Sequence, residues 1–239
     1  MKPLTLTSWL TPFRTSWLLP AVLSMTAGAV DVIGFLALGG LFTAHITGNL
    51  VIVAAHYVTG GFGQVGPLLA VPVFMAVLGL VTLASGAIAS AGWSPLRPLL
   101  SLQAALLAGF LGLAVGLGPF PDADSPMAVL AGMLGVAAMA TQNATVKLAI
   151  KQSPSTAVMT TNITQLTLDL ATIIRGRAEP EELAHARHRA SMTFPCIVAF
   201  VVGCASGAAL EVNFGLWALA LPVILSVLAL ALALGRAEG

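Results

Sequence analysis

Apolar segments run at about 16–38, 42–59, 67–91, 97–118, 126–150, 155–174, 191–210 and 214–235. A bilayer core takes about 20 apolar residues in helical form. Six of the eight segments reach that length and predict spanning helices. The second and sixth are short or interrupted, and the interrupting residues are nearly the same in both. Thr43-Ala44-His45-Ile46-Thr47-Gly48-Asn49-Leu50 recurs 113 positions later as Thr156-Ala157-Val158-Met159-Thr160-Thr161-Asn162-Ile163. Both threonines, the alanine and the asparagine are kept. Hydroxyls and amides away from water need partners, so this polar string is what each half of the chain is built around. A polar residue also precedes each string: Asp31 lies 12 residues before Thr43, and Asn143 lies 13 before Thr156.

Loop charge decides how many segments cross. Basic residues near helix ends favour the cytoplasm, and the polar stretch from Arg175 to Arg189 holds four arginines. If all eight segments crossed, Arg97 would fall outside and the Asp122/Asp124 loop inside. If the two string segments enter and leave on one side, the basic residues gather inside. These are Lys2, Arg14, Arg97, Lys151, Arg175, Arg177, Arg187, Arg189 and Arg236. Asp122, Asp124 and Glu211 then lie outside.

The expected fold is therefore an all-α integral membrane protein of two internal repeats. It has six spanning helices and two short re-entrant or broken ones. Three crossings per repeat would invert the second repeat relative to the first, a construction found in secondary transporters. Residues 1–15 form a cytoplasmic N-terminus, 16–118 the first repeat and 126–235 the second, with a cytoplasmic loop or solvated helix at 175–190. Lys2 and Arg14 ahead of Trp17 outline a signal peptide, with Ala27 and Ala29 near a cut. The apolar run continues to Leu38, which predicts a retained first helix instead.

Composition agrees. Of 239 residues, 58% are hydrophobic and 8% charged, with a mean hydropathy of +0.97. Soluble domains carry about 25% charged residues. A net charge of +1 without a basic cluster gives no reason to expect a nucleic-acid partner. Cys196 and Cys204 are eight apart in one apolar segment, too far along a helix to pair.

The candidate chemistry is polar and internal. Asp31 sits mid-segment, where a carboxylate costs at least about 2.5 kcal/mol and marks ion or solute paths. Thr43, Thr47, Asn49, Thr156, Thr160 and Asn162 form the proposed site, with Thr43 and Thr47 four apart on one helix face. Gln142 and Asn143 project about 100° apart, so that one can line a cavity while the other packs. Re-entrant helix ends suit an anion or a hydrogen-bonding solute. The competing reading makes the strings interhelical glue. His45, whose counterpart is Val158, either titrates near neutrality or packs, and His56 is assigned to an interface. Lys147 is assigned to snorkelling, and Asp169 to a structural pair with a loop arginine or Lys147.

The Gly28-Ala29-Val30-Asp31 element, Thr47-Gly48-Asn49 and Gln142-Asn143-Ala144 together resemble the YoaK family of bacterial multipass inner-membrane proteins, a domain of unknown function. The resemblance covers roughly residues 16–235. Thr161 stands where the second string often has glycine, and Gln103 where an acidic residue is expected. A substrate or coupling common to the family therefore does not follow. The resemblance implies a bacterial inner-membrane location, expected here with both termini cytoplasmic.

No His-Glu-x-x-His, Gly-x-Ser-x-Gly or phosphate-loop motif is present, and Asp31 and Asp169 are not repeat equivalents. The expected function is passage of a small polar or anionic solute or ion between the repeats, by channel or carrier. No catalysis, metal or cofactor is expected. The lipid bilayer is the expected environment, and a homo-oligomer stays open. The rival is a non-transporting assembly or sensor protein.

Overall fold

The computed structural model describes residues 17–60, 65–151 and 153–235. The N-terminal stretch 1–15, with Lys2 and Arg14, and also Arg236, lie outside the described residues. The order is α1 (Leu18–Ala37), α2 (Ile46–Thr59), α3 (Val65–Ser90), α4 (Leu96–Leu117), α5 (Pro126–Ala149), α6 (Met159–Arg175), α7 (Pro180–Phe214), a 3₁₀ turn (Gly215–Leu219) and α8 (Ala220–Leu234). No strand occurs among the described residues.

Local signals account for the helix ends. Ser125 caps α5 by accepting from the Ala128 N–H at 3.4 Å, with Pro126 at the first helical position. Pro180 and the acidic Glu181 and Glu182 open α7. That helix therefore takes up most of the expected 175–190 loop. The two short helices each stop on a left-handed glycine, Gly60 (φ 71°) after α2 and Gly176 (φ 62°) after α6.

Among the described residues five helical stretches are long and apolar enough to cross a membrane, the last running from Pro180 to Leu234. Gly215, at φ 56° and ψ −141°, interrupts that last stretch between α7 and the 3₁₀ turn. The 14-residue α2 is a shorter apolar helix. The chain is thus an all-helical multipass membrane protein.

Helix α1 is the centre of the bundle, packed on α7, α8 and α5. Its apolar window is 72% buried, against 17% for the peripheral α3. Close approach of α1 and α7 requires glycine. A Cβ on Gly203 would strike the Met25 backbone, and one on Gly28 would strike the Phe200 carbonyl.

The bundle has two ends. At one, Leu19 and Leu23 of α1, Leu100 of α4, Val146 of α5 and Ala233 of α8 form one apolar cluster. This end also carries Arg97 and Lys151. At the other, Ala37 of α1, Gly118 and Phe120 after α4, and Gly215 after α7 line one cavity. The Val65 N–H donates to Asp124 Oδ1 at 2.8 Å, which brings the start of α3 to this acidic end.

Candidate functional site

Both polar strings break the helix. Residues 38–45 are non-helical before α2 begins at Ile46, and 150–151 and 153–158 are non-helical before α6 begins at Met159. Thr43 and Thr47 therefore do not share a helix face, because Thr43 precedes the first turn. The same holds for Thr156 and Thr160.

Asp31 holds the first break. Its Oδ1 accepts from the Ala44 N–H at 2.7 Å, the His45 N–H at 3.3 Å and, at the limit of a bond, the Thr43 hydroxyl at 3.5 Å. Its Oδ2 lies 3.4 Å from His45 Nδ1. The carboxylate thus serves backbone donors that the absent helical turn leaves over, a necessity where no water can serve them. Thr43 and Asp31 are both buried.

Each string is then clamped on itself by its asparagine. Asn49 Nδ2 donates to the Phe42 carbonyl at 2.7 Å, and its Oδ1 accepts from the Phe42 N–H at 2.9 Å. Asn162 Nδ2 donates to the Ser155 carbonyl at 2.6 Å. In both cases the partner lies seven residues back. Both asparagines are buried.

The second break is braced by an amide. Gln142 Nε2 donates to the Leu23 carbonyl of α1 and to Thr156 Oγ1, both at 2.9 Å. Its Oε1 accepts from Gln103 Nε2 at 2.8 Å. Gln142, Gln103 and Thr156 are buried. Asn143 donates to the Met139 carbonyl of its own helix at 2.9 Å.

The starts of the two short helices meet at one cavity of about 380 Å³. His45 and Val158, the residues just before α2 and α6, both line it, as do Thr47 and Thr160 of the first turns. Phe74 and Leu78, near the middle of α3, form an apolar wall. Asn143 and Lys147 complete it from α5, one turn apart on one face. The N-terminal ends of two helices carry partial positive charge, and Lys147 adds a full one. No carboxylate among the described residues pairs with Lys147.

The nine expected site residues therefore divide. Asp31, Thr43, Asn49, Gln142, Thr156 and Asn162 frame the breaks from behind, whereas Thr47, Thr160 and Asn143 face the cavity. His45, read from the sequence as titrating or packing, and Lys147, read as snorkelling, face it too. The spacing of Lys147 four residues after Asn143 was the available signal.

Asp169 is a separate, structural case. Buried in α6, it takes Arg189 Nη2 at 2.6 Å and Gln165 Nε2 at 3.1 Å. Its partner is thus a basic residue of the 175–190 stretch rather than Lys147. Among the described residues no group of three or more His, Cys, Asp or Glu side chains could hold a metal.

The helices and their buried polar frame define a multipass membrane protein. Residues 19–232 match the family described as "Protein of unknown function (DUF1275)", and the chain belongs to it. It is also similar to the "UPF0700 transmembrane protein YoaK" of Bacillus subtilis (strain 168), at 38% identity over 68 residues. That match covers 28% of this chain and 27% of that protein. No solved structure matches.

Proposed function

We propose that the chain carries a small anionic or polar solute through the cavity between the two strings, and catalyses no reaction. The carrying observation is the convergence of both short-helix starts, Lys147 and His45 on one cavity. Helix N-termini and an unpaired ammonium in an apolar setting attract negative charge.

The reading includes six crossings and inverted repeats. Ala37 and Val65, which bracket the first string, both lie at the acidic end. Val146 at the end of α5 and Arg189 near the start of α7 belong to the basic end, and they bracket the second string. Each string segment then leaves and returns on one side, from opposite faces, as in transporters with midplane sites. By the positive-inside rule the basic end is cytoplasmic in a bacterial inner membrane, with both termini inside.

Two experiments test this in a background lacking Cys196 and Cys204. Single cysteines at Gln64→Cys and Asp122→Cys should label from outside intact cells, and Ala178→Cys only after the cells are opened. Protection of Gln64→Cys while Asp122→Cys labels would overturn the re-entrant reading. Thr47→Cys and Thr160→Cys should react faster with an anionic methanethiosulfonate than with a cationic one, and Lys147→Gln should remove the preference. Equal rates before that substitution would sink the anion reading.

A second reading has its own support, because seven of the nine expected site residues make internal bonds. In it the strings only knit the bundle of a non-transporting assembly or sensor protein. Proteoliposomes that pass none of a panel of small carboxylates and inorganic anions, while Thr47 and Thr160 cysteines stay unreactive, would favour it.

A further inference from the structure

A second cavity, of about 360 Å³, opens at the acidic end. Helix α1 ends in it at Ala37, the last turn of α4 lines it at Ala114 with Gly118 just beyond, and the last turn of α7 supplies Glu211. Three helices thus direct their C-terminal ends, each with partial negative charge, toward one space. Glu211 adds a carboxylate, and its Oε2 is buried without a hydrogen-bond partner among the described residues. No lining residue is basic. The remaining walls include the aromatic residues Phe120 and Trp217.

Against this negative charge stand no basic lining residue and only the start of the short 3₁₀ turn at Gly215, so the cavity calls for a cation. The kind of cation follows from the walls. A dehydrated metal ion needs about six oxygen ligands, whereas only one carboxylate is present and no cluster of three acidic or imidazole groups occurs among the described residues. Aromatic faces beside one carboxylate suit an organic ammonium, held by cation–π contact on one side and a charge-assisted hydrogen bond on the other. The volume is far above what a bare monovalent ion fills and accommodates a small alkylammonium group. From Glu211, the three helix ends and the two rings, we infer that this cavity binds an organic ammonium group. The inference is independent of the anion reading of the central cavity, since the two cavities share no lining residue.

The ammonium can come from a free amine or from an aminophospholipid headgroup, and the test separates them. Full-length protein in detergent is titrated with ethylammonium chloride at constant ionic strength, with sodium and potassium chloride as controls. In parallel, its melting temperature is compared in nanodiscs of phosphatidylethanolamine and of phosphatidylglycerol. Saturable ethylammonium binding assigns a free amine. Stabilisation by phosphatidylethanolamine alone, lost in Glu211→Gln, assigns the headgroup. In either arm Glu211→Gln should weaken the effect by about tenfold or more, as expected for one charge-assisted contact. Glu211→Asp, which keeps the charge if the glutamine variant does not fold, should bind more weakly than wild type but measurably. Trp217→Phe should keep a weakened site, and Lys147→Gln should leave it unchanged. Neither arm responding, equal binding of sodium, or an unaffected Glu211→Gln would each overturn the assignment.

Discussion

Replacing Asp31 separates its bracing role from a purely functional one. The carboxylate is 4% exposed and accepts two backbone N–H groups, at 2.7 and 3.3 Å. In Asp31→Ala those donors lose their acceptor inside the bundle. A charge-assisted bond contributes about 1.5–3 kcal/mol, and the longer contact less, which puts the loss at about 3–4 kcal/mol. Asp31→Asn keeps one acceptor oxygen for the Ala44 N–H and gives up the charge, for about 1–2 kcal/mol. At roughly 2–4 °C per kcal/mol for a chain of this size, the alanine variant should melt about 6–16 °C lower and the asparagine variant about half as far or less. Fluorescence-detected size exclusion after heating, in one detergent, reads both. Thr43→Val, which removes only the 3.5 Å contact, serves as the control and should shift little. An alanine variant melting within about 2 °C of wild type would refute the bracing argument. If the same variant also lost solute passage, Asp31 would be a functional group that the fold does not need.

The two asparagines should differ. Asn49→Ala loses a donor and an acceptor bond to Phe42 and should cost about 2 kcal/mol, against about 1 for Asn162→Ala; equal melting shifts would contradict this. The ion pair should respond asymmetrically. Arg189→Gln strands the buried Asp169 carboxylate and should destabilise by about 2 kcal/mol after discounting for the half-exposed guanidinium, while Asp169→Asn frees only an arginine that water can reach. The reverse order in a melting assay would refute the account. Gln142→Glu should be the most damaging conservative change, because a buried carboxylate cannot donate to Leu23 and Thr156 and costs several kcal/mol. Expression and melting equal to wild type would show that the amide does not donate.

Much of the fold is legible from hydropathy, since the eight apolar segments correspond to α1 through α8. The two short helices are legible because their polar strings repeat. Boundaries inside the strings are not. Thr43 to Asn49 reads as one helical run, and only the bond from Asp31 to the Ala44 N–H shows that helix starts at Ile46. That shift of three residues turns Thr43 and Thr156 away from the cavity they were expected to line. His45 and Lys147 were hidden for another reason. A repeat argument values residues that recur, and His45 is matched by Val158. The partner of Asp169 sits 20 residues on, across a turn. Pro180 with two acids behind it marks where α7 begins, inside the stretch read as a loop or solvated helix.

The two halves share the string but not the brace. The first string offers backbone N–H groups, and a carboxylate is the acceptor that satisfies two of them at once. The second offers the oxygen of Thr156, and an amide is the donor that reaches it and the Leu23 carbonyl together. Each brace therefore matches the polarity of what it holds, and the two are not interchangeable although the strings are nearly the same. The cavity they frame inherits that asymmetry. On the first string it has His45, with a carboxylate directly behind; on the second it has Val158, backed by neutral groups. Lys147 stands beside Asn143 on the helix that carries the neutral brace. An anion in this cavity would thus meet, on the α5 side, an ammonium that no carboxylate among the described residues pairs with, and on the other a histidine already partnered by Asp31.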